Sequence, residues 1–184
     1  MACNLITVNA AKSCKEDFSG VGSRFYIFSG EGIAEQDLSS VETMEAYVAV
    51  LEKYLANGVV QVDIKPKSGK VTAESNANGG GFSNVFTGVV SNNMKDMSEL
   101  SRVLNNTTDW GVLVPAGNNE YYFLYDKAFG IEFQNSSDTG DTPDSDHGHT
   151  LTITCSPMLY PLTKGALKEA ELTIQTTIDI SPNV

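Results

Sequence analysis

The sequence predicts an α+β fold that is mainly β, an antiparallel β-sandwich or barrel with flanking helices. Many short segments alternate apolar and polar residues between turn residues, which is typical of antiparallel sheets. Two other segments have the spacing of amphipathic helices. The chain has 184 residues, of which 41% are hydrophobic and 19% charged. We therefore expect a single globular domain over 1–184 that buries a substantial core.

The first predicted strands lie in the N-terminal half. The stretch "SRFYIFSG", from Ser23 to Gly30, has the aromatic and β-branched content of a strand. The stretch "VVQVDIKP" alternates apolar residues on one face (Val60, Val62 and Ile64) and ends at Pro66. Residues 65–81 are polar, glycine-rich and too many for a tight turn, so we expect one long hairpin that becomes ordered on assembly. A strand over Phe82–Val90 follows it.

The first predicted helix runs from Val41 to Leu55, with Ser39 or Ser40 as its cap and Asn57-Gly58 as its left-handed end. One apolar stripe comprises Val41, Met44, Val48, Leu51 and Leu55. A second, adjacent stripe comprises Tyr47, Val50 and Tyr54. These three residues either complete the core of the same chain or contact a neighbouring subunit, where aromatic residues are enriched.

The second predicted helix and the remaining strands complete the domain. Asn92 or Asn93 caps the helix, Asn105-Asn106 ends it, and one face carries Met94, Met97, Leu100 and Leu104. Short strands follow at Trp110–Val114, Tyr121–Tyr125 and Gly130–Gln134, and then a strand that turns Leu151, Ile153 and Cys155 inward. After 161 we expect a C-terminal extension, in which Leu172, Ile174, Ile178 and Ile180 alternate.

The stretch "DTGDTPDSDHGHTLTI", from Asp138 to Ile153, contains four aspartates and both histidines of the chain. Asp144, Asp146, His147 and His149 have side chains that bind divalent ions. The ligands are crowded on a turn-rich loop, however, and the spacing does not fit a calcium-binding EF-hand. We therefore interpret the stretch as a solvated acidic connection into a strand. Replacing both histidines with alanine is then expected to change stability by less than about 0.5 kcal/mol.

Composition excludes several further classes of function. The net charge is −11 and the sequence pI is about 4.5. This charge argues against binding to the phosphate backbone of a nucleic acid, which needs clustered Lys and Arg. Cys3, Cys14 and Cys155 are widely spaced and form no zinc motif, so we expect free thiols, with a Cys3–Cys14 bridge as the alternative. No secretory signal, membrane span, nucleophile motif or phosphate loop is recognisable. We expect no enzyme activity, catalytic residue, cofactor or metal.

Aromatic residues on two predicted strands form one candidate surface for a ligand. Trp110 and three tyrosines, Tyr121, Tyr122 and Tyr125, alternate along two predicted strands. They could form a face on which sugar rings stack, as in a carbohydrate-binding or adhesive β-sandwich. The other interpretation is that they are core and interface residues.

The order of the elements resembles that of structural virion proteins of tailed bacteriophages that infect Bacteroidetes, which are similar to tail-tube proteins. The resemblance covers roughly the first 160 residues. It is carried by the cysteine-bearing start, "GVGSRFYIF", the helix at Met94–Asn105, and "WGVLVPAGNNEYYFLYDKAFGIEF". It also includes a connection into an alternating strand: Thr139-Gly140, Asp146, Gly148 and Leu151-Thr152-Ile153. The helix at 41–55 and the tail after 161 depart from the pattern.

The resemblance implies a tail-tube-like sandwich that assembles into a homo-oligomeric ring, as a tail-tube or connector-ring subunit. Its partners would be copies of itself and neighbouring tail or portal-connector proteins, in a virion assembled in the bacterial cytoplasm. Genomic DNA would pass through the ring without specific binding, because Asp and Glu in the lumen would repel its phosphates. The alternative function is a capsid-decorating or carbohydrate-binding adhesion module.

Overall fold

The computed structural model describes residues 21–31, 33, 43–55, 58–75, 81–91, 94–106, 109–116, 120–127, 130–138, 148–156, 163–165, 172 and 174–175. Within these ranges the chain forms ten strands and two helices. The prediction of an α+β fold that is mainly β is therefore confirmed. The strands are β1 Arg24–Ser29, β2 Val59–Asp63, β3 Lys70–Ser75, β4 Phe82–Ser91, β5 Trp110–Ala116, β6 Glu120–Leu124, β7 Ile131–Asp138, β8 Gly148–Cys155, β9 Thr163–Gly165 and β10 Ile174–Gln175. The helices are α1 Met44–Leu55 and α2 Met94–Asn105.

The strands form two sheets. One has six strands in the order β10-β2-β1-β5-β6-β9, and the other has four in the order β3-β4-β8-β7. Every pairing is antiparallel except that of β10 with β2, which is parallel. The prediction of antiparallel sheets therefore holds for all strands but this short edge strand.

An inner core fills the space between the two sheets. The four-stranded sheet contributes alternating residues such as Phe86, Leu151 and Ile153, and the six-stranded sheet contributes Phe25 and Trp110. All five are at most 1% exposed. The inward direction predicted for Leu151, Ile153 and Cys155 is confirmed. Because both sheets share this core, the architecture is that of a sandwich.

An outer core covers the opposite face of the six-stranded sheet, so β1 and β5 are buried on both faces. Helix α1 packs there through Val48, Leu51 and Leu55. Phe28 on β1 and Leu113 on β5 complete the layer from the sheet side. The molecule therefore has three layers: α1, the six-stranded sheet and the four-stranded sheet.

The caps of the helices follow ordinary backbone chemistry. Thr43 precedes α1, and its hydroxyl accepts a hydrogen bond from the Ala46 N–H at 3.3 Å. Because α1 begins at Met44 with Thr43 as its cap, the predicted start at Val41 with Ser39 or Ser40 as the cap is wrong. Asn92 and Asn93, the predicted caps of α2, lie outside the described residues. Gly58 has φ of 100°, which confirms the predicted left-handed end of α1. Asn106 ends α2 by donating from its side chain to the Arg102 carbonyl at 2.6 Å.

The range 65–81, for which the sequence predicts one long hairpin, contains a turn and a strand. Ser68 N–H donates to the Lys65 carbonyl at 3.1 Å, and the intervening Lys67 has φ of 66°. Strand β3 follows and pairs with β4 along its whole length, from Lys70–Thr87 to Ser75–Phe82. The hairpin therefore joins β3 to β4 within one sheet, and Lys70–Ser75 pairs with β4 of the same chain. Its tip, 76–80, lies outside the described residues.

Two described stretches after 161, residues 163–165 and 174–175, belong to the six-stranded sheet. Strand β9 pairs with β6 at one edge, and β10 pairs with β2 at the other. Leu172 is buried in the outer core, whereas Ile174 is 54% exposed. The alternation predicted for these two residues is therefore wrong, because one is buried and the other is exposed. Ile178 and Ile180 lie outside the described residues.

Candidate functional site

The outer face of the four-stranded sheet is not covered by any of the described elements. Neither core cluster includes any of its residues, and each of them is half-buried or exposed. Hydroxyl side chains predominate on this face, which we call the hydroxyl face. Its described residues are Lys70, Thr72, Glu74, Ser83, Val85, Thr87, Val89, Glu132, Gln134, Ser136, Thr150, Thr152 and Thr154.

Strand register places these residues in rows across the sheet. One row reads Lys70, Thr87, Thr152 and Gln134, and the next reads Thr72, Val85, Thr154 and Glu132. Because side chains alternate along a strand, the neighbouring rows point into the inner core. The face is therefore flat and polar, and three charged side chains are described on it: Lys70, Glu74 and Glu132.

The two edge strands of this sheet are long. β3 has six residues and β7 has eight, and each pairs on one side only among the described strands. Lys70, Ala73, Glu74 and Ser75 are exposed on β3, as are Glu132, Gln134 and Ser136 on β7. Exposed edges of this length are available for pairing with another chain. By contrast, the strands at the edges of the six-stranded sheet have two and three residues.

A partly buried chain of hydrogen bonds lies beneath one end of the hydroxyl face. His149 on β8 is 3% exposed, and its Nδ1 lies 3.0 Å from Asn135 Oδ1. Asn135 Nδ2 donates to Ser101 Oγ at 2.9 Å, and Ser101 Oγ donates to the Met97 carbonyl at 2.6 Å. An amide oxygen can only accept a hydrogen bond. Asn135 Oδ1 therefore accepts from His149 Nδ1, which must carry a proton. The chain ties α2 to strands β7 and β8.

The position of His149 corrects one prediction. It was expected on a solvated acidic loop, where replacement would be nearly neutral. Instead it is buried on a strand, and its Nε2 has no hydrogen-bond partner. Removing the ring would leave Asn135 without its donor, which costs more than an exposed substitution. The other residues considered as ligands, Asp144, Asp146 and His147, lie outside the described residues. In the part of the chain that is described, no group of three or more potential metal ligands occurs.

The aromatic residues considered for sugar stacking do not form a surface. Trp110 is 0% exposed and lies in the inner core, with its ring 6.3 Å from that of Phe133. Tyr121 and Tyr125 are buried in the outer core, and Tyr122 is half-buried against the inner core. Since β5 and β6 are central strands with cores on both faces, their alternation distributes these rings between two cores. The sugar-stacking interpretation of these residues is wrong.

The second stripe of α1 also faces its own chain. Tyr47 is 7% exposed, and its hydroxyl donates to the Tyr125 carbonyl at 3.3 Å. Val50 packs against the same outer core. A subunit contact through Tyr47 is therefore contradicted, because this residue is buried in the core of its own chain. The side chain of Tyr54 is outside the described set.

A partly buried ionic cluster joins two connections at one end of the six-stranded sheet, the one before β5 and the one after β6. Lys127 forms an ion pair with Asp109, and the Tyr125 hydroxyl donates to the same carboxylate at 2.9 Å. Burial first, and then the negative charge of Asp109, raise the pKa of Tyr125 well above its usual range. The Tyr125 phenol therefore stays protonated and donates to Asp109. This hydrogen bond links the chain after β6 to the chain before β5.

Cys155 is the described cysteine, and it is free and 1% exposed. Burial is the main reason that its pKa is raised, and the charge of Asp126 adds to the rise. A buried thiol that resists ionisation is a poor nucleophile. Cys3 and Cys14 lie outside the described residues, so their pairing stays a prediction.

The sequence carries a local signal for the hydroxyl face. In "HTLTITC", Thr150, Thr152 and Thr154 alternate with buried residues, which indicates a strand with one polar face. The pattern alone does not show that Thr72 and Thr87 lie on neighbouring strands of the same face, since that depends on pairing.

Comparison with protein-family models, with curated proteins and with solved structures gave no match for this chain. Neither described helix is long and apolar enough to cross a membrane.

Proposed function

We propose that this chain is a structural protein of a tailed-phage virion, a ring-forming subunit of the tail tube or of a connector ring. The observation that carries the proposal is the four-stranded sheet, which has a core on one face and the hydroxyl face on the other. At each edge it has a long strand that pairs on one side only among the described strands. The sequence resemblance to tail-tube-like proteins supports the same role. The partners would be copies of itself and adjacent tail or portal-connector proteins, in a virion assembled in the host cytoplasm.

Strand direction favours a closed ring. Within the sheet, β3 and β7 run in opposite directions because three antiparallel pairings separate them. If identical subunits stand side by side with the same orientation, β3 of one therefore meets β7 of the next as an antiparallel neighbour. Such a head-to-tail contact uses two different surfaces and generates a ring when the rotation closes. The four-stranded sheets would then form one wall.

The hydroxyl face would line the passage. Burial excludes its opposite side, which is the inner core. An acidic lining was expected from the net charge, but the described charges of this face are Lys70, Glu74 and Glu132, so hydroxyl groups dominate. Without clustered Lys or Arg, the wall offers DNA phosphates no strong attachment. Hydration and the low positive charge would let DNA slide.

The carbohydrate-binding alternative loses the aromatic residues that motivated it, since three of them are buried and the fourth is half-buried. A capsid-decorating protein of the same fold stays a possible outcome of the experiment. It would be found on capsid surfaces and not in rings around the DNA passage.

The test combines mass measurement of the purified chain over a range of concentrations with electron microscopy of the particles that contain it. We expect rings in one or both, with this chain around an axial channel. Ala73→Lys adds a charge with no acidic partner at the β3 edge and should abolish rings, because an unmatched charge at a sheet edge opposes pairing. Ala49→Lys is the matched control, since Ala49 is equally exposed but lies on α1. Monomers alone in solution, together with particles that lack such rings, would refute the proposal.

A further inference from the structure

We infer that the seam between subunits has one defined register, in which Lys70 of one copy lies opposite the position of Asp138 in the next. This inference rests on the proposed function and specifies how the ring partner is recognised. It follows from three independent properties of β3 and β7: length, side-chain alternation and charge.

Length and alternation reduce the choice to two registers. All six residues of β3 pair only if Lys70 lies opposite residue 136, 137 or 138 of β7, which ends at Asp138. A shift of one residue exchanges the two faces of a strand. Position 137 is therefore excluded, because it would place the hydroxyl face of one copy beside the core face of the next. Positions 136 and 138 remain.

Charge distinguishes these two registers. With Lys70 opposite Ser136, Glu74 lies directly opposite Glu132 of the neighbouring copy, and like charges in that position destabilise a pair. With Lys70 opposite Asp138, Glu74 lies opposite the neutral Gln134, and the lysine meets an acidic position. The second register is therefore favoured at both of the charged positions of β3.

Barrel geometry supports the same register. Within one chain, strand pairing places Lys70 and Gln134 in the same row across the sheet. If Lys70 instead lies opposite residue 138 of the next copy, the row is displaced by four residues (138 − 134 = 4) for each four-stranded subunit. This displacement is one residue per strand, whatever the number of subunits. An eight-stranded barrel with a shear of 8 has the same ratio, and its strands tilt by about 36°. The register at 136 gives half that ratio, whereas closed barrels have strands tilted by roughly 35–45°.

Disulfide trapping reads the register directly. In a background with Cys3 and Cys14 changed to serine, Thr72→Cys is combined in turn with Ser136→Cys, Gln134→Cys or Glu132→Cys. The proposed register places Thr72 opposite Ser136, the competing one places it opposite Gln134, and a level seam places it opposite Glu132. Within one chain β3 and β7 are three strand spacings apart, about 14 Å, so no bond forms inside a monomer.

We expect mild oxidation of the assembled protein to give a ladder of covalent multimers with the 72/136 pair, and little with the other two. A ladder mainly from 72/134 or 72/132 would overturn the register. Rings that give no ladder with any pair would overturn the β3–β7 seam while leaving the proposed function intact. A protein that neither assembles nor cross-links, together with particles that lack such rings, would refute the proposed function itself.

Charge reversal gives a second, independent readout. Lys70→Glu should raise the concentration needed for assembly by about two- to five-fold, from the usual strength of a cross-strand ion pair. Adding Asp138→Lys to that variant should restore assembly. Lys67→Glu is the matched control, because Lys67 is exposed and lies in the turn before the paired residues. Equal effects of Lys67→Glu and Lys70→Glu would show that net charge alone matters, which contradicts the register.

Discussion

Gly111, in the centre of β5, is the position where one added methyl group should disturb this fold most clearly. It pairs with Phe28 of β1, whose ring lies in the outer core. A Cβ on residue 111 would lie 2.2 Å from Phe28 Cζ and 2.5 Å from Cε1. Since ordinary contacts begin at about 3.5 Å, the tip of the ring would have to move by roughly 1 Å. Phe28 is 0% exposed, so little free space is available.

Gly111→Ala should therefore lower the free energy of unfolding by about 2–3 kcal/mol, the upper part of the range for overpacked cores. Trp110 is the only tryptophan of the chain and is fully buried, so its fluorescence reports urea unfolding at a single site. Gly22→Ala is the control, because its Cβ would lie 3.3 Å from the Pro115 side chain and requires a small shift only.

A double-mutant cycle tests the cause. Phe28→Leu alone removes ring atoms and should cost about 1–2 kcal/mol. Combined with Gly111→Ala, the new methyl group occupies part of the vacated space, so the pair should be less destabilising than the sum by at least about 1 kcal/mol. Additive effects, or a loss below about 0.5 kcal/mol for Gly111→Ala alone, would refute the steric argument.

Three further outcomes follow from single residues. Thr43→Ala should cost about 1 kcal/mol through loss of the α1 cap, whereas Thr43→Ser should be nearly neutral in the same urea assay; equal losses would contradict capping. In its neutral form His149 should show the Nδ1–H tautomer in ¹⁵N NMR, and an Nε2–H signal would contradict the partly buried hydrogen-bond chain. Because the pKa of Cys155 is raised on folding, the unfolded chain loses this proton first. The contribution of Cys155 to the free energy of unfolding should therefore be constant below its pKa of about 8.5 in the unfolded chain. Above that pH it should fall by at most about 1.4 kcal/mol per pH unit, and Cys155→Ala should remove this part of the slope.

The class of fold and most element positions were predictable because they depend on local periodicity. The spacing of Val48, Leu51 and Leu55 predicts one face of α1, and the alternation around Ile153 predicts the inward face of β8. The boundaries were less accurate where pairing extends a strand. The strand predicted at Gly130–Gln134 reaches Asp138, because β8 offers partners along that whole length.

The partners of each strand were decided by the tertiary structure. Local sequence does not indicate that β2 and β4 belong to different sheets, which is why 65–81 was predicted as one hairpin. It also does not indicate that β5 and β6 are covered on both faces, so that their aromatic residues are buried. Chain segments far apart in sequence determine both results, since burial depends on what packs against a surface.

The same distinction applies to the candidate site. By itself the sequence determined that strands such as "HTLTITC" have one apolar and one polar face. Only the tertiary structure decided that one polar face stays uncovered, that β3 and β7 bound it, and that Lys70 and Glu132 share it. Alternation is a property of a single strand, whereas a sheet face and its edges arise from pairing between distant strands.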